Sequence, residues 1–431
     1  MMFSDVKVLN MRQRIETFLI IFKFARIGIK FSQEGRKKNF MSYVSEKAGK
    51  DGKPSYSKGL EGVIIGESKK CFIDGERGYL AYVGIPIEQL AENSTYEEVC
   101  FLLLNDRLPT EREMRDFKKL LYSYREIPSE VYSIIKSSAR YGVHPMAILR
   151  VAVDYLSIFD EEAEINTDDL NYIKALRLIS KLHTITASIG RVIRGLEPVH
   201  PLENVSVAAN WLWMYKGQKP SEEEERIFDI ILILHAEHEI NASTFSARVV
   251  ISSFTDIYSA VIAAIGSLKG PLHGGANEDV MNMLSEIKDP SNVEEYVKSK
   301  LSRKEKIPGF GHRVYKNYDP RAAILKSIAE KLAEKNSRVK HWLEIGKRIE
   351  KFMIDNLGQK GIYPNVDFFS GIVMSYLGIE PRMFTPIFAT GRIVGWLAHI
   401  IEQLKDNRIF RPRIIYTGPE ELNYVPINQR S

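Results

Sequence analysis

Four short segments set histidine, arginine and aspartate beside glycines, where helices start or stop. They are His235-Ala-Glu-His238-Glu239, Gly270-Pro-Leu-His273-Gly-Gly-Ala-Asn277, Gly309-Phe-Gly-His312 running on to Asp319-Pro320-Arg321, and Tyr363-Pro-Asn-Val-Asp367-Phe-Phe-Ser-Gly371. Glycines next to histidines suit a backbone that approaches a ligand closely. Asp367, set among Val366, Phe368 and Phe369, is either a helix N-cap or a functional carboxylate; as the latter, desolvation raises its pKa and strengthens it as a base. His273 precedes a helix that starts near Asn277, so the positive end of a helix dipole favours a neutral, hydrogen-bond-donating imidazole; a plain turn histidine is the alternative.

His312 follows two glycines and is bracketed by Lys306, Arg313 and Lys316, a combination that suits the phosphates of a carrier molecule. Taken singly, each such charge is more often a solvated surface residue. His235 and His238 share a helix face at a spacing that could hold a metal. HAEHE is neither HExxH nor HxxEH, however, and no third ligand lies nearby in sequence. One histidine in a polar ligand contact and the other in packing is the favoured reading, and no metal is expected.

The elements that must position these residues read as helices. Thr95 with Glu98, Thr110 with Glu113 and Ser221 with Glu224 have capping-box spacing ahead of apolar stretches. Helical runs are expected over about 126–158, 168–195, 203–216, 244–268, 277–287, 321–356, 365–378 and 384–405. A short β-rich patch around Cys71 to Gly84, with Asp74-Gly75 as its turn, is the exception. With no strand alternation elsewhere, the fold class is all-α. No Walker A or GxGxxG pattern supports a nucleotide-cradling fold.

With 431 residues the chain can bury a large core and form two domains. A net charge of +5 hints at anionic ligands without the clustered basic face that nucleic acid needs. Cys71 and Cys100 read as buried thiols in a reducing cytoplasm, with a single disulfide as the alternative. No run of 18 apolar residues suggests a membrane span; Phe18 to Phe31 is interrupted by Lys23, Arg26 and Lys30. Residues 1–40 carry nine Lys/Arg against three Asp/Glu and resemble a transit peptide superficially, but lack a clear cleavage signal. They are read as a leader outside the fold, and the polar stretch 41–60 as a linker.

At the four segments the chain resembles the citrate synthase family. GFGHRVYKNYDPR fits the family signature in full; GPLHGGAN, the HE segment, NVDFFSG, GRIVGWLAHIIEQ and RPR occur in the expected order, over about residues 57–427. It looks most similar to the short, dimeric archaeal and Gram-positive type. The resemblance implies a two-domain helical fold: a leader and linker over 1–56, a large domain over 57–274 and 380–431, and a small domain over 275–379. It further implies Asp367 as the base that deprotonates acetyl-CoA, His273 as donor to the thioester oxygen, and His312 as donor to the carbonyl of oxaloacetate. His238, Arg321 and Arg392 would hold oxaloacetate, joined by Arg411 from the other subunit of a homodimer. Lys306, Gly309, Gly311 and Lys316 would line the CoA site. CoA enters as a thioester co-substrate, with no permanently bound cofactor and a cytoplasmic location. Gly391, Pro308 and Ala236-Glu237 depart from commoner family residues, which touches fine substrate specificity only.

The chemistry needs such a set. A thioester methyl is roughly ten pKa units less acidic than a carboxylic acid, a gap of about 14 kcal/mol that one aspartate cannot bridge. Enolate and carbonyl donors must supply part of it, and a dianionic co-substrate calls for arginine forks. The nearest rival is a 2-methylcitrate synthase using propionyl-CoA. A citrate-cleaving lyase lacks its nucleotide modules here, and a non-catalytic helical scaffold leaves the retained Asp367, His273 and His312 without purpose.

Overall fold

Ten of the sixteen described α-helices start on a side chain that accepts a hydrogen bond from a first-turn N–H group. In the computed structural model, which describes residues 56–419 and 421–430, Thr110 and Ser221 each close a full capping box. Thr95 makes only half of one. Its hydroxyl accepts from Glu98 N at 3.3 Å, but the Glu98 carboxylate turns to Ser94 Oγ at 2.7 Å. The leader over 1–40 and most of the linker lie outside the described residues.

Sixteen α-helices are described, and they make the fold all-α. They are α1 (Ile87–Asn93), α2 (Tyr96–Asn105), α3 (Glu111–Ser123), α4 (Ser129–Ala139), α5 (Pro145–Ser157), α6 (Asp168–Val192), α7 (Val207–Lys216) and α8 (Glu222–His235). There follow α9 (Ala242–Ile251), α10 (Ile257–Leu268), α11 (Ala276–Ile287), α12 (Val293–Ser302), α13 (Pro320–Ala333), α14 (Ser337–Leu357), α15 (Val366–Tyr376) and α16 (Phe384–Lys405). Strands β1 (Cys71–Asp74), β2 (Tyr79–Tyr82) and β3 (Ile85–Pro86) form one small antiparallel sheet in that order. The expected patch is thus a hairpin, with Gly75 to Gly78 as its turn rather than Asp74-Gly75 alone.

Three runs expected as single helices are each broken in two. The chain between α4 and α5 turns at Gly142, φ +63°, and restarts on the His144 cap with Pro145 at the first position. Phe254 at φ +63° and the Asp256 cap separate α9 from α10. Asn336, accepting from Val339 N at 3.0 Å, separates α13 from α14. In each case a capping side chain takes a first-turn N–H group, which apolar periodicity does not register.

Residues Glu67–Arg411 form one compact unit. Two helices act as hubs within it. Helix α16 packs against α2, α6, α8, α9 and α10, and α15 packs against α11, α13 and α14. The described parts of a second unit are mostly exposed: a tight turn at Lys58–Leu60, and an extended stretch from Pro412 that ends in a turn at Ile427–Gln429. Both cysteines are free; Cys100 is buried as expected, whereas Cys71 on the sheet edge is half-buried.

Helix α16 is apolar and long enough to span a bilayer, yet its apolar window is wholly buried in protein. It carries Arg392 and His399 inward and has two glycines one turn apart on the side facing the end of α8. A Cβ at Gly391 would lie 2.9 Å from His235 Cβ and from Leu232 O, and one at Gly395 would lie 2.3 Å from both Ala236 O and Glu237 Oε2. These glycines let the segment that carries His238 lie against the helix that carries Arg392. Gly395→Ala is therefore expected to destabilise the fold by about 2 kcal/mol or more, because backbone must move. Chemical denaturation of the purified variant checks this; a midpoint equal to the parent's would contradict the close approach.

Candidate active site

Two distant loops are stitched together by backbone hydrogen bonds. Gly311 N donates to Tyr363 O at 2.9 Å, Asn365 N to Gly309 O at 2.9 Å, and Asn365 Nδ2 to Gly311 O at 3.0 Å. Gly309 and Gly311 have φ of +77° and +83°, and a Cβ on Gly309 would meet Phe368 at 2.8 Å. Both glycines are thus required by the loop itself. Asn365, not Asp367, caps α15, accepting Asp367 N at 3.0 Å. That leaves the Asp367 carboxylate for other work: Oδ1 is buried with no hydrogen-bond partner.

Arg321 and Arg392 are the buried cations around which the site is built. Arg321 is held by Asp319 through Nε–Oδ1 at 3.1 Å and Nη2–Oδ2 at 2.8 Å. Burial acts against its charge, but Asp319 more than offsets that and raises its pKa. Asp319 also caps α13 and accepts Val366 N at 3.2 Å, joining α13 to the start of α15. Arg392, 1% exposed, donates through Nε to His235 O at 2.7 Å and lies 4.9 Å from the centroid of the Phe388 ring. Its Nη2 is buried without a partner, and among the described residues it makes no ion pair. Burial pushes its pKa down.

The three histidines are neutral, and their partners fix where the protons sit. His312 Nδ1 accepts from Val314 N at 3.0 Å and Tyr315 N at 3.2 Å, so its single proton is on Nε2, which is left as a donor. Burial first, then the Arg321 charge, lowers its pKa to about 4. His273 Nε2 accepts from Ser243 N at 3.2 Å, an N–H shared with Asn241 Oδ1 at 3.1 Å, and lies 2.8 Å from Ser243 Oγ. Ser243 Oγ in turn accepts from Trp396 Nε1 at 3.0 Å. The Ser243 hydroxyl also donates to Asn241 Oδ1 at 2.7 Å, so it is the Ser243 N–H contact that favours the His273 proton on Nδ1. Its pKa falls to about 4 through burial and then Arg392. The helix starts at Ala276, beside the expected Asn277, and the lowering comes from burial first and Arg392 second. His238 is driven well below the ordinary histidine range by burial, with Arg321, His312 and Arg392 adding to it. Its ring meets that of His312 edge to face at 5.0 Å.

Asp367, 8% exposed, moves the other way, from the ordinary 3.8 up to about 7. Burial is the cause; Arg321 and Arg392 pull it back and Asp319 pushes it further up. The fields overlap. The charge of Arg392 acts on His238, His273 and Asp367, and that of Arg321 on His238, His312 and Asp367. The structure thus gathers His238, His273, His312, Arg321, Arg392 and Asp367 into one electrostatic neighbourhood.

The other expected site residues lie further out. Lys306 and Lys316 are exposed; Lys316 still helps to lower the pKa of His312, and its N–H donates to Gly75 O at 3.0 Å. Arg411 is exposed on the extended segment beyond α16. His235 is buried, with Nδ1 against Ile231 O at 2.7 Å and its ring against Phe388 at 4.7 Å. Among the described residues no group of three potential ligands could hold a metal.

Sequence reasoning did not find Ser243, Tyr315, Asp319 or the pair Glu237–His399. Asp319 had a signal, since aspartate before proline is a helix cap. Glu237, next to His238, makes a fully buried contact to His399 Nε2 at 2.9 Å, and His399 Nδ1 meets Arg248 Nη1 at 3.1 Å. Glu237 raises the pKa of His399 against the opposing effect of burial.

The chain resembles known proteins over most of its length. The family model described as citrate synthase, C-terminal domain, matches residues 59–413. The chain is 48% identical to citrate synthase of Deinococcus radiodurans over 374 residues, 87% of this chain and 99% of that protein. It is 46% identical to citrate synthase 2 of Bacillus subtilis over 375 residues, 87% and 99% of the two chains. Among solved structures, the ternary complex of carboxymethyl coenzyme A and oxaloacetate with citrate synthase from Thermoplasma acidophilum matches with a TM-score of 0.83 at 38% identity, covering 87% of this chain and all of that one. With a family model that spans most of its length and relatives this similar, the chain belongs to the citrate synthase family.

Proposed function

We propose that this chain condenses acetyl-CoA with oxaloacetate and hydrolyses the resulting thioester to citrate and CoA, with residue roles as follows. Asp367 takes a proton from the acetyl methyl group. His273 Nδ1–H donates to the thioester oxygen as the enol forms, and His312 Nε2–H donates to the oxaloacetate carbonyl. The enol carbon then bonds to that carbonyl carbon, its oxygen gains a proton, and water cleaves the citryl thioester. The observation that carries this reading is one carboxylate with an unpartnered buried oxygen beside two buried arginines that also act on the neutral histidines.

The energetics are consistent. Raising the Asp367 pKa to about 7 brings the base some three units nearer the thioester, about 4 kcal/mol of the gap. Donors on the enolate and carbonyl oxygens, held in a water-poor site, supply much of the rest. Arg392 Nη2 offers an open donor for a carboxylate of oxaloacetate, alongside Arg321 and His238. Arg411, from the partner copy of a homodimer, would complete the clamp. Lys306 and Lys316 would meet CoA phosphates where Gly309 and Gly311 shape the loop. Residues 275–379 would close as a small domain over the remainder, shielding the thioester from water. No permanently bound cofactor enters the scheme, and a cytoplasmic setting suits free thiols.

Asp367→Asn is expected to lower kcat about 100-fold or more while oxaloacetate binding stays within a few-fold; normal turnover would overturn the assignment of the base. For the parent, kcat/KM for acetyl-CoA should climb with pH and level off above about 7 as Asp367 ionises in the free enzyme. Stability runs the opposite way. A carboxyl whose folded pKa exceeds its unfolded value stabilises most below the unfolded value, and that contribution is lost as pH rises from about 4 to about 7. At pH 8 the asparagine variant should therefore melt no lower than the parent.

Thiol release measured in parallel with acetyl-CoA and propionyl-CoA tests the acyl group. One added methylene is worth about 1–3 kcal/mol, so acetyl-CoA should lead by about 10-fold or more in kcat/KM. A higher value with propionyl-CoA would move the reading to 2-methylcitrate synthesis.

A further inference from the structure

Tyr315 touches both histidines assigned to oxaloacetate, by different groups. Its backbone N–H donates to His312 Nδ1 at 3.2 Å, and its hydroxyl lies 3.2 Å from His238 Nε2. The ring is 2% exposed, 4.9 Å from the His312 ring and 5.5 Å from the His238 ring. His238 comes from the segment after α8 and His312 from the glycine loop before α13, so Tyr315 is a direct tie between two separate parts of the site. Apart from this contact, His238 and His312 meet only through their ring faces and edges, which restrain tilt weakly.

The tie is braced from behind. Gly75, in the β1–β2 turn, lies so close that a Cβ there would sit 2.1 Å from Val314 O and 3.3 Å from Tyr315 Cα. Lys316 N donates to Gly75 O at 3.0 Å on the other side of Tyr315. The hairpin therefore fixes the backbone of Tyr315, and Tyr315 in turn fixes two imidazoles. Burial keeps the phenol neutral by pushing its pKa up, so the hydroxyl retains both a donor and an acceptor function.

We propose that the Tyr315 hydroxyl is a positioning group for the oxaloacetate site, aligning His238 with His312 and setting the affinity for the keto acid rather than that for the CoA thioester. This rests on the roles proposed above for the two histidines. A neutral hydrogen bond is worth about 0.5–1.5 kcal/mol net, which is about 2- to 12-fold in an equilibrium constant.

The test is Tyr315→Phe, which keeps the ring and removes one oxygen. Steady-state kinetics should show a rise of about 3- to 10-fold in KM for oxaloacetate. KM for acetyl-CoA should stay within twofold, and the thermal midpoint should match the parent's. Oxaloacetate should also protect the variant less against thermal unfolding at equal concentration. An oxaloacetate KM within twofold of the parent's would overturn the proposal. So would equal losses for both substrates, or a variant unfolded at assay temperature, since either makes the hydroxyl a general support of the fold. The parent and His312→Ala serve as controls. If the parent releases no thiol with oxaloacetate, or His312→Ala keeps full turnover, the functional reading beneath the proposal fails. If both controls behave and only Tyr315→Phe is silent, the inference about Tyr315 alone is lost.

Discussion

Arg321 and Arg392 are both buried, and of the two only Arg321 makes an ion pair among the described residues. Arg321 is matched by Asp319, whereas Arg392 has a backbone carbonyl, an aromatic face and an unpartnered Nη2. Burying a charge without a counter-charge is costly, and proteins tolerate it where a ligand completes the pairing. The Glu237 carboxylate offsets part of the Arg392 charge, and the field of the two arginines still reaches their neighbours. It helps to hold His238, His273 and His312 neutral, so that they donate hydrogen bonds instead of repelling the arginines. It also limits how far burial can lift Asp367, leaving that carboxyl near neutrality, where a base is most useful.

The scaffold is arranged to sustain that charge. Asp319 alone caps α13, pairs with Arg321 and accepts the first N–H of α15, so one side chain sets the helix that carries Asp367 against the arginine. Across the site, Gly391 and Gly395 let the end of α8 sink against α16, and Glu237 reaches His399 in the interior. Glu237, next in sequence to His238, is thereby anchored in the interior. Its neighbour His399 connects onward to Arg248, which binds Glu402 at 2.9 Å and Gln403 at 3.1 Å. These links are buried hydrogen-bonded networks, which position neighbouring groups more tightly than apolar packing does.

Helix type and most helix starts were legible in the sequence because apolar periodicity and capping pairs are local signals. The breaks at Gly142, Phe254 and Asn336 were not, because the apolar pattern runs straight across them and a cap side chain decides the matter. The candidate residues were named from motifs. Their convergence could not be read from them, since Gly309–Asn365 and Tyr363–Gly311 contacts join positions some fifty residues apart with no periodic relation. Asp367 was ambiguous until Asn365 proved to be the cap. Ser243 lay outside the quoted motifs, and Tyr315, though inside GFGHRVYKNYDPR, had no role assigned; what each does depends on which ring nitrogen it faces.

Arg392, buried with an unpartnered Nη2, is proposed as the receptor for a carboxylate of oxaloacetate. Calorimetric titration of oxaloacetate into the parent protein and into Arg392→Leu tests it most directly. Truncating one partner of a buried charge pair costs about 2–5 kcal/mol, so the account expects affinity to fall by about 30-fold or more in a variant that remains folded. A folded Arg392→Leu protein that binds oxaloacetate within threefold of the parent would contradict it.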